Sequence, residues 1–329
     1  MSLQDAFGRT IASLRVSVTD RCNLCCRYCM PAEGVPVLPH DEILRYEEIE
    51  RLIRVALALG VARVRLTGGE PLVRKGLLDF ICRLKALEGL KALTMTSNGI
   101  LLERYAESLK KCGVDSLNIS LDTLNAEKFR LMTGFNQLES VLRGIAKARE
   151  AGFSLIKINV VSLRAFNDDE LFDFIEFADH GDFILRFIEY MPFPGNDWHQ
   201  KGFLSSKELR AKIEQRYTLQ PYDGDPSAAA KLYEIQGLRG KIGFISAVSE
   251  SFCDRCNRLR LTSDGFLKPC LHGPLEIDLK SPLRRGAQDS ELMALFHEAI
   301  ERKPASHHDL FTHACRPLGI DREMVRIGG

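Results

Sequence analysis

Cys22-Asn23-Leu24-Cys25-Cys26-Arg27-Tyr28-Cys29 places three thiols at C-x3-C-x2-C spacing, directly after a short β-like run from Leu14 to Thr19. Three thiolates can hold a cubic four-iron cluster and leave one iron open to a small-molecule chelate. An electron-transfer cluster normally takes four thiolates, so a three-thiolate loop points to chemistry at the free iron. Cys25 is surplus to that spacing. A zinc knuckle, or a group of reduced core cysteines, is the plainer explanation of the same residues. A second signal is Thr67-Gly68-Gly69-Glu70-Pro71, which follows the apolar positions Val64 and Leu66. Its paired glycines let backbone approach a ligand without interference from a Cβ.

Outward from the loop, β-like runs alternate with helical stretches, the pattern of βα units on a parallel sheet. The runs are Leu14 to Thr19, Arg63 to Thr67, Leu93 to Ser97, Ser116 to Leu121, Leu155 to Val161 and Phe183 to Tyr190. Helices are expected over Glu47 to Leu59, Lys75 to Leu87, Leu101 to Lys111, Asn125 to Met132, Ser140 to Ala151 and Asp168 to Ala178, the last opened by an Asn167 and Glu170 capping box. Six units are too few for a closed eight-stranded barrel, so the expected fold is α/β: an incomplete (β/α)6 barrel of the TIM type with a smaller C-terminal domain. The boundary is expected near residue 230, giving 1–230 and 231–329, with Pro221 to Ser227 as linker.

The strands alternate in polarity, whereas strands covered by helices on both faces usually read apolar throughout. Arg15 and Ser17 share a face of the first run, Arg63 and Arg65 of the second, and Thr94, Thr96 and Asn98 of the third. Asn118, Ser120 and Asp122 share one of the fourth, Lys157 and Asn159 of the fifth, and Arg186 and Tyr190 of the sixth. A barrel with a wet, ligand-lined interior predicts this, because buried polar groups persist where they are paired or hold a ligand. Solvent-facing polar strands, or basic groups paired with interior carboxylates, are the alternatives.

Cys253-Asp254-Arg255-Cys256 and Cys270 form a second group of three. His272 would complete a Cys3His zinc site, and a second three-thiolate iron-sulfur cluster is the competing assignment. Arg258 and Arg260 project the same way on an extended segment, and two guanidinium forks aimed together suit a polyphosphate. Cys82, Cys112 and Cys315 lie outside both groups and read as core residues. With 329 residues and a net charge of +1, the chain can bury a large core but lacks the basic surplus of a general nucleic-acid binder. No apolar run reaches membrane-spanning length, no targeting segment is evident, and ligand-spaced cysteines fit a reducing compartment, so a cytosolic protein is expected.

The two glycine and cysteine motifs together resemble the radical S-adenosylmethionine superfamily, with Cys22, Cys26 and Cys29 at the cluster positions. The rest of the chain resembles the GTP 3',8-cyclases within it. The matching segments are Arg15 to Pro31, Leu66 to Leu72, Thr96 to Gly99, Asn118 to Thr123, Lys157 to Val161, Arg186 to Pro192, Phe244 to Cys270 and Arg326 to Gly329. The resemblance implies two 4Fe-4S clusters, the first on Cys22, Cys26 and Cys29 with S-adenosylmethionine, the second on Cys253, Cys256 and Cys270. It assigns S-adenosylmethionine to Tyr28, Gly69, Ser120 and Met191, and GTP to Arg15, Arg65, Thr96, Lys157, Arg258, Leu259 and Arg260. Arg186 joins the cations or orients an interior carboxylate, and Gly328 and Gly329 reach into the active site. A deoxyadenosyl radical would take the ribose 3' hydrogen before ring closure onto guanine C8. The resemblance also implies an external electron donor, a homodimer, and cyclic pyranopterin monophosphate synthase as product acceptor, with no nucleic acid and no membrane. A peptide-modifying radical enzyme with an auxiliary cluster is the alternative enzyme, and a non-catalytic iron-sulfur or zinc module the alternative class.

Overall fold

Alternate Val, Leu and Ile side chains turn one face of each strand toward a layer of helices, and burial of Leu14, Val16, Val64, Leu66, Leu93, Met95, Leu117, Ile119, Ile158 and Leu185 makes that layer the core. The computed structural model describes residues 3–31, 33–194, 196, 202–225, 227–307 and 322–328. Strands β1 (Ser13–Ser17), β2 (Arg63–Thr67), β3 (Ala92–Ser97), β4 (Ser116–Ser120), β5 (Ile156–Ser162) and β6 (Ile184–Glu189) alternate with α1 (Tyr46–Ala58), α2 (Leu77–Lys85), α3 (Leu102–Lys111), α4 (Ala126–Thr133), α5 (Leu138–Glu150) and α6 (Leu171–Gly181). In α1 the buried positions Ile49, Leu52, Ile53 and Ala56 fall on one stripe at helical spacing.

The remainder comprises α7 (Ser206–Glu214), β7 (Leu219–Tyr222), β8 (Lys231–Ile235), β9 (Lys241–Ile245), β10 (Arg258–Leu261), β11 (Phe266–Lys268), β12 (Ile277–Asp278), α8 (Lys280–Arg284), α9 (Asp289–Glu301) and α10 (Met324–Ile327). All strands join one sheet in the order β12-β11-β10-β1-β2-β3-β4-β5-β6-β9-β8-β7. The run from β10 to β9 is parallel, and antiparallel strands lie outside it at each end. Among the described residues β12 and β7 end the order without pairing to each other, so the barrel is open there. The C-terminal strands extend both edges of the six-unit array, and β10 lies beside β1 with Arg260 opposite Arg15. Glu189, at the end of β6, ties these regions together by accepting from the main-chain N–H groups of Ser206, Val248 and Ser249 at 2.8 Å each.

Three local expectations need correction. Asn167 does not cap α6: its side-chain amide donates to the Asp122 and Val161 carbonyls, and Glu170 is taken by Thr123, Leu124 and Lys128. The helix therefore starts at Leu171. Pro221 and Tyr222, the first two residues of the expected linker, belong to strand β7, paired with β8. Cys82 and Cys112 are not separate core residues but form a disulfide between α2 and the end of α3; Cys315 lies outside the described residues. Among the described residues no helix is long and apolar enough to cross a membrane.

Candidate active site

A cavity of about 600 Å³ opens inside the barrel, and the thiols of Cys22, Cys26, Cys29, Cys253, Cys256 and Cys270 all belong to residues that line it. The first three are held by local turns and by the ends of β2 and β3. Cys29 N–H donates to the Cys26 carbonyl at 2.9 Å. Asn98 donates to Asn23 Oδ1 at 2.8 Å and approaches Cys22 Sγ at 3.8 Å, while its own N–H is fixed by Glu70 Oε2 at 2.7 Å. Gly69 packs so closely under the loop that a Cβ there would lie 2.3 Å from the Arg21 carbonyl oxygen. Its glycine is thus a requirement of close approach. Cys25 turns its thiol toward the Pro31 carbonyl at 3.6 Å and does not line the cavity.

Burial, with Glu70 adding, pushes the Cys22 thiol up to about 11; burial likewise raises Cys26 and Cys29 well above the usual thiol range, the neighbouring thiols and Asp122 adding to it. Three thiolates become favourable in such a pocket only against a strongly cationic centre, which is what iron supplies. The donor set therefore fits a cluster. Tyr28 hydrogen-bonds Asp122, whose carboxyl burial lifts to about 6, and Val161 N–H donates to Asp122 Oδ1 at 2.8 Å. Gly69, Ser120 and Met191 line the cavity together with these residues.

Register builds the other wall. Arg260 pairs with Arg15, Arg15 with Arg65, and Arg65 with Thr94, so a row of guanidiniums crosses three adjacent strands. Thr96, Lys157, Arg186 and Arg258 line the cavity as well. Burial, then Arg260, Arg65, Arg258 and Arg186, pulls Arg15 well below the ordinary guanidinium range. Burial first, then neighbouring guanidiniums, lowers Arg65 to about 10, Arg186 to about 9 and Arg260 to about 9. Among the described residues Arg186 orients no carboxylate: its donors go to Asn118 Oδ1 and Asn159 Oδ1, each at 2.6 Å. Arg260 donates to the Gly328 carbonyl at 2.5 Å, which brings the C-terminal segment to the cation row. A Cβ on Gly328 would lie 3.0 Å from Thr67 and 3.1 Å from Ser17, and its φ is +85°. Gly329 lies outside the described residues. Leu259 alternates with the two arginines and buries its side chain in the core, away from the cavity.

In the second group, Cys253 starts a 3-10 turn that Cys256 closes, and Cys270 follows β11. Cys253 Sγ lies 2.9 Å from His307 Nδ1, and the His272 and His307 rings are 5.0 Å apart. Burial opposes ionisation of Cys256, yet Arg258 and Lys303 bring its thiol down to about 6. Among the described residues no three His, Cys, Asp or Glu side chains converge as a single-ion site.

The Radical SAM superfamily model matches residues 16–178, and the Molybdenum Cofactor Synthesis C model matches residues 183–309. The chain is 47% identical to the GTP 3',8-cyclase of Moorella thermoacetica over 307 residues, covering 93% of this chain and 95% of that one. It is 43% identical to the mitochondrial GTP 3',8-cyclase of Arabidopsis thaliana, covering 99% and 83% respectively. The crystal structure of SuiB from Streptococcus suis shares the fold, with a TM-score of 0.61 at 16% identity over 93% of this chain and 70% of that one.

Several supporting residues carried no motif. Arg9 donates to the Cys253 carbonyl at 2.7 Å across 244 positions of sequence, a contact that spacing cannot reveal. Lys303 and His307 are similarly remote, whereas Asp122 and Asn159 were visible from strand parity. Replacing Gly69 with Ala is expected to push the Arg21 carbonyl and the Cys22 loop apart, at about 1–3 kcal/mol. Urea unfolding of the apoprotein and iron uptake by the N-terminal triplet should both fall; unchanged values would place the loop elsewhere.

Proposed function

Because this chain belongs to the GTP 3',8-cyclase family of radical S-adenosylmethionine enzymes, we infer that it converts GTP into 3',8-cyclo-7,8-dihydro-GTP, the first step of molybdenum cofactor biosynthesis. The observation that carries this assignment is the set of Arg15, Arg65, Lys157, Arg186, Arg258 and Arg260 around one cavity. Among the described residues none of the six forms an ion pair with a carboxylate, so the cavity is built for an outside polyanion. A peptide substrate would leave that charge unanswered.

Cys22, Cys26 and Cys29 would hold a 4Fe-4S cluster and Tyr28, Gly69, Ser120 and Met191 would seat S-adenosylmethionine. When bound, these groups supply a 5'-deoxyadenosyl radical able to take the ribose 3' hydrogen. The chain's own residues position the nucleotide. Arg15, Arg65, Lys157, Arg258 and Arg260 would grip the triphosphate through charge-assisted hydrogen bonds, and Thr96 would add a hydroxyl. Leu259 can contribute only its main chain. Arg186, held by Asn118 and Asn159, would set the polar floor of the cavity, and the Gly328 carbonyl would aim Arg260. Gly328 and Gly329 together would complete the site.

Cys253, Cys256 and Cys270 would carry a second 4Fe-4S cluster beside the guanine, with residues 1–230 as the barrel domain and 231–329 as the C-terminal domain. An external electron donor, a cytoplasmic homodimer and cyclic pyranopterin monophosphate synthase as acceptor complete the proposal. Anaerobic incubation with S-adenosylmethionine, reductant and GTP deuterated at ribose C3' should place deuterium in 5'-deoxyadenosine. Formation of unlabelled 5'-deoxyadenosine would exclude the cyclase assignment.

Lys157 adds a pH signature. Burial, then Arg186 and Arg65, lowers its ammonium to about 8, with Asp225 opposing. Only the charged form attracts phosphate, and bound phosphate raises the ammonium's pKa, so affinity should weaken as pH rises above about 8. Calorimetric titration between about pH 7 and 9, bracketing that value, should show the decline in the wild type and a flatter, weaker profile in Lys157→Met. Parallel profiles would remove Lys157 from the phosphate site.

A further inference from the structure

Lys303, just beyond α9, is 4% exposed and sends its ammonium into the wall behind the second cysteine group. It donates to the Arg258 carbonyl at 3.0 Å and to the Pro269 carbonyl. Those carbonyls stand two residues after Cys256 and immediately before Cys270. Among the described residues no carboxylate pairs with it. Arg9 makes an instructive contrast in the same wall: it holds the Cys253, Pro304 and Ala305 carbonyls, but Asp5 neutralises it at 2.5 Å. A buried ammonium without a carboxylate persists only where other negative charge answers it. Its electrostatic partners of opposite sign are Cys256 and Cys270.

We propose that Lys303 is a positioning residue whose positive charge stabilises an anionic metal centre on Cys253, Cys256 and Cys270 and raises its reduction potential. The proposal rests on the assignment of an iron-sulfur centre to that group. Three thiolates make such a centre net anionic, and one-electron reduction adds further negative charge. A nearby cation therefore favours the reduced state and disfavours loss of the centre. Helix α9 delivers the charge from the layer outside the sheet, so Lys303 is not among the residues lining the nucleotide cavity, and its hydrogen bonds go to main-chain carbonyls.

The test uses the full-length chain with Cys22, Cys26 and Cys29 replaced by Ser, so that iron and sulfide can be held only by the second group. Iron content and an electron-paramagnetic-resonance redox titration are compared for Lys303, Lys303→Gln and Lys303→Arg. The Gln variant keeps a donor for the carbonyls but no charge. Its midpoint should move negative by about 59 mV or more, a tenfold change in the one-electron equilibrium, or its iron content should fall. The Arg variant should stay near the parent. A Gln variant with unchanged potential and iron, or an Arg variant shifted as far as Gln, would overturn the role of charge. A parent chain that takes up no iron would instead remove the second centre itself, and the proposal with it.

Discussion

Three guanidiniums, those of Arg260, Arg15 and Arg65, stand at paired positions on adjacent parallel strands. Strands lie roughly 4.8 Å apart, and like charges placed directly opposite each other are destabilising. Two unit charges about 5 Å apart in an effective dielectric of about 20 repel by about 3 kcal/mol, which sets the scale for neighbours in this row. The row's own partners relieve little of this: Arg65 donates to Thr94 Oγ1 at 3.2 Å and Arg260 to the Gly328 carbonyl, neither of them a carboxylate. The sheet is held by the apolar face opposite, where Leu14, Leu66 and Leu261 are fully buried, and that burial sustains the repulsive face. A triphosphate reverses the balance, since its charge turns repulsion into shared attraction. The cavity, the open barrel that admits the substrate and the placement of β10 beside β1 all follow from the need to assemble this row.

The electrostatics of the two cysteine groups differ at one thiol, that of Cys256. At the first, burial and neighbouring acids push the thiols up, so cationic iron is the main compensation available. At the second, Arg258 and Lys303 already favour the thiolate of Cys256. The second group is thus mixed, since burial raises Cys270 while the protein's cations favour the Cys256 thiolate. Under the proposed assignment, that difference separates a centre that generates a radical from one that holds a purine.

Much of this was legible in the sequence because strand parity is a strict period of two. Arg15, Arg65, Thr96, Lys157 and Arg186 were placed on inward faces by alternation alone, and all line the cavity. Parity also explains the exception: Leu259 sits between two inward arginines and so must face the core. Register between β1 and β10 was not legible, because it joins positions distant in the chain, such as Arg15 and Arg260, through contacts that no local pattern encodes. The same distance hid Arg9 and Lys303. Asn167 and Glu170 misled because a capping spacing says nothing of competing partners, and here Thr123 and Lys128 claim the glutamate. Cys82 and Cys112 misled because apolar character was inferred from residue type, while α2 and α3 set the two sulfurs side by side.

The central claim is that the carboxylate-free cation row is a triphosphate site lying between the two cysteine groups. An anaerobic crystal structure of the reconstituted chain with GTP tests it most directly. The account predicts phosphate oxygens about 2.7–2.9 Å from guanidinium nitrogens of Arg15, Arg65, Arg258 and Arg260. Phosphates bound outside the barrel, with these arginines turned to carboxylate partners, would contradict it.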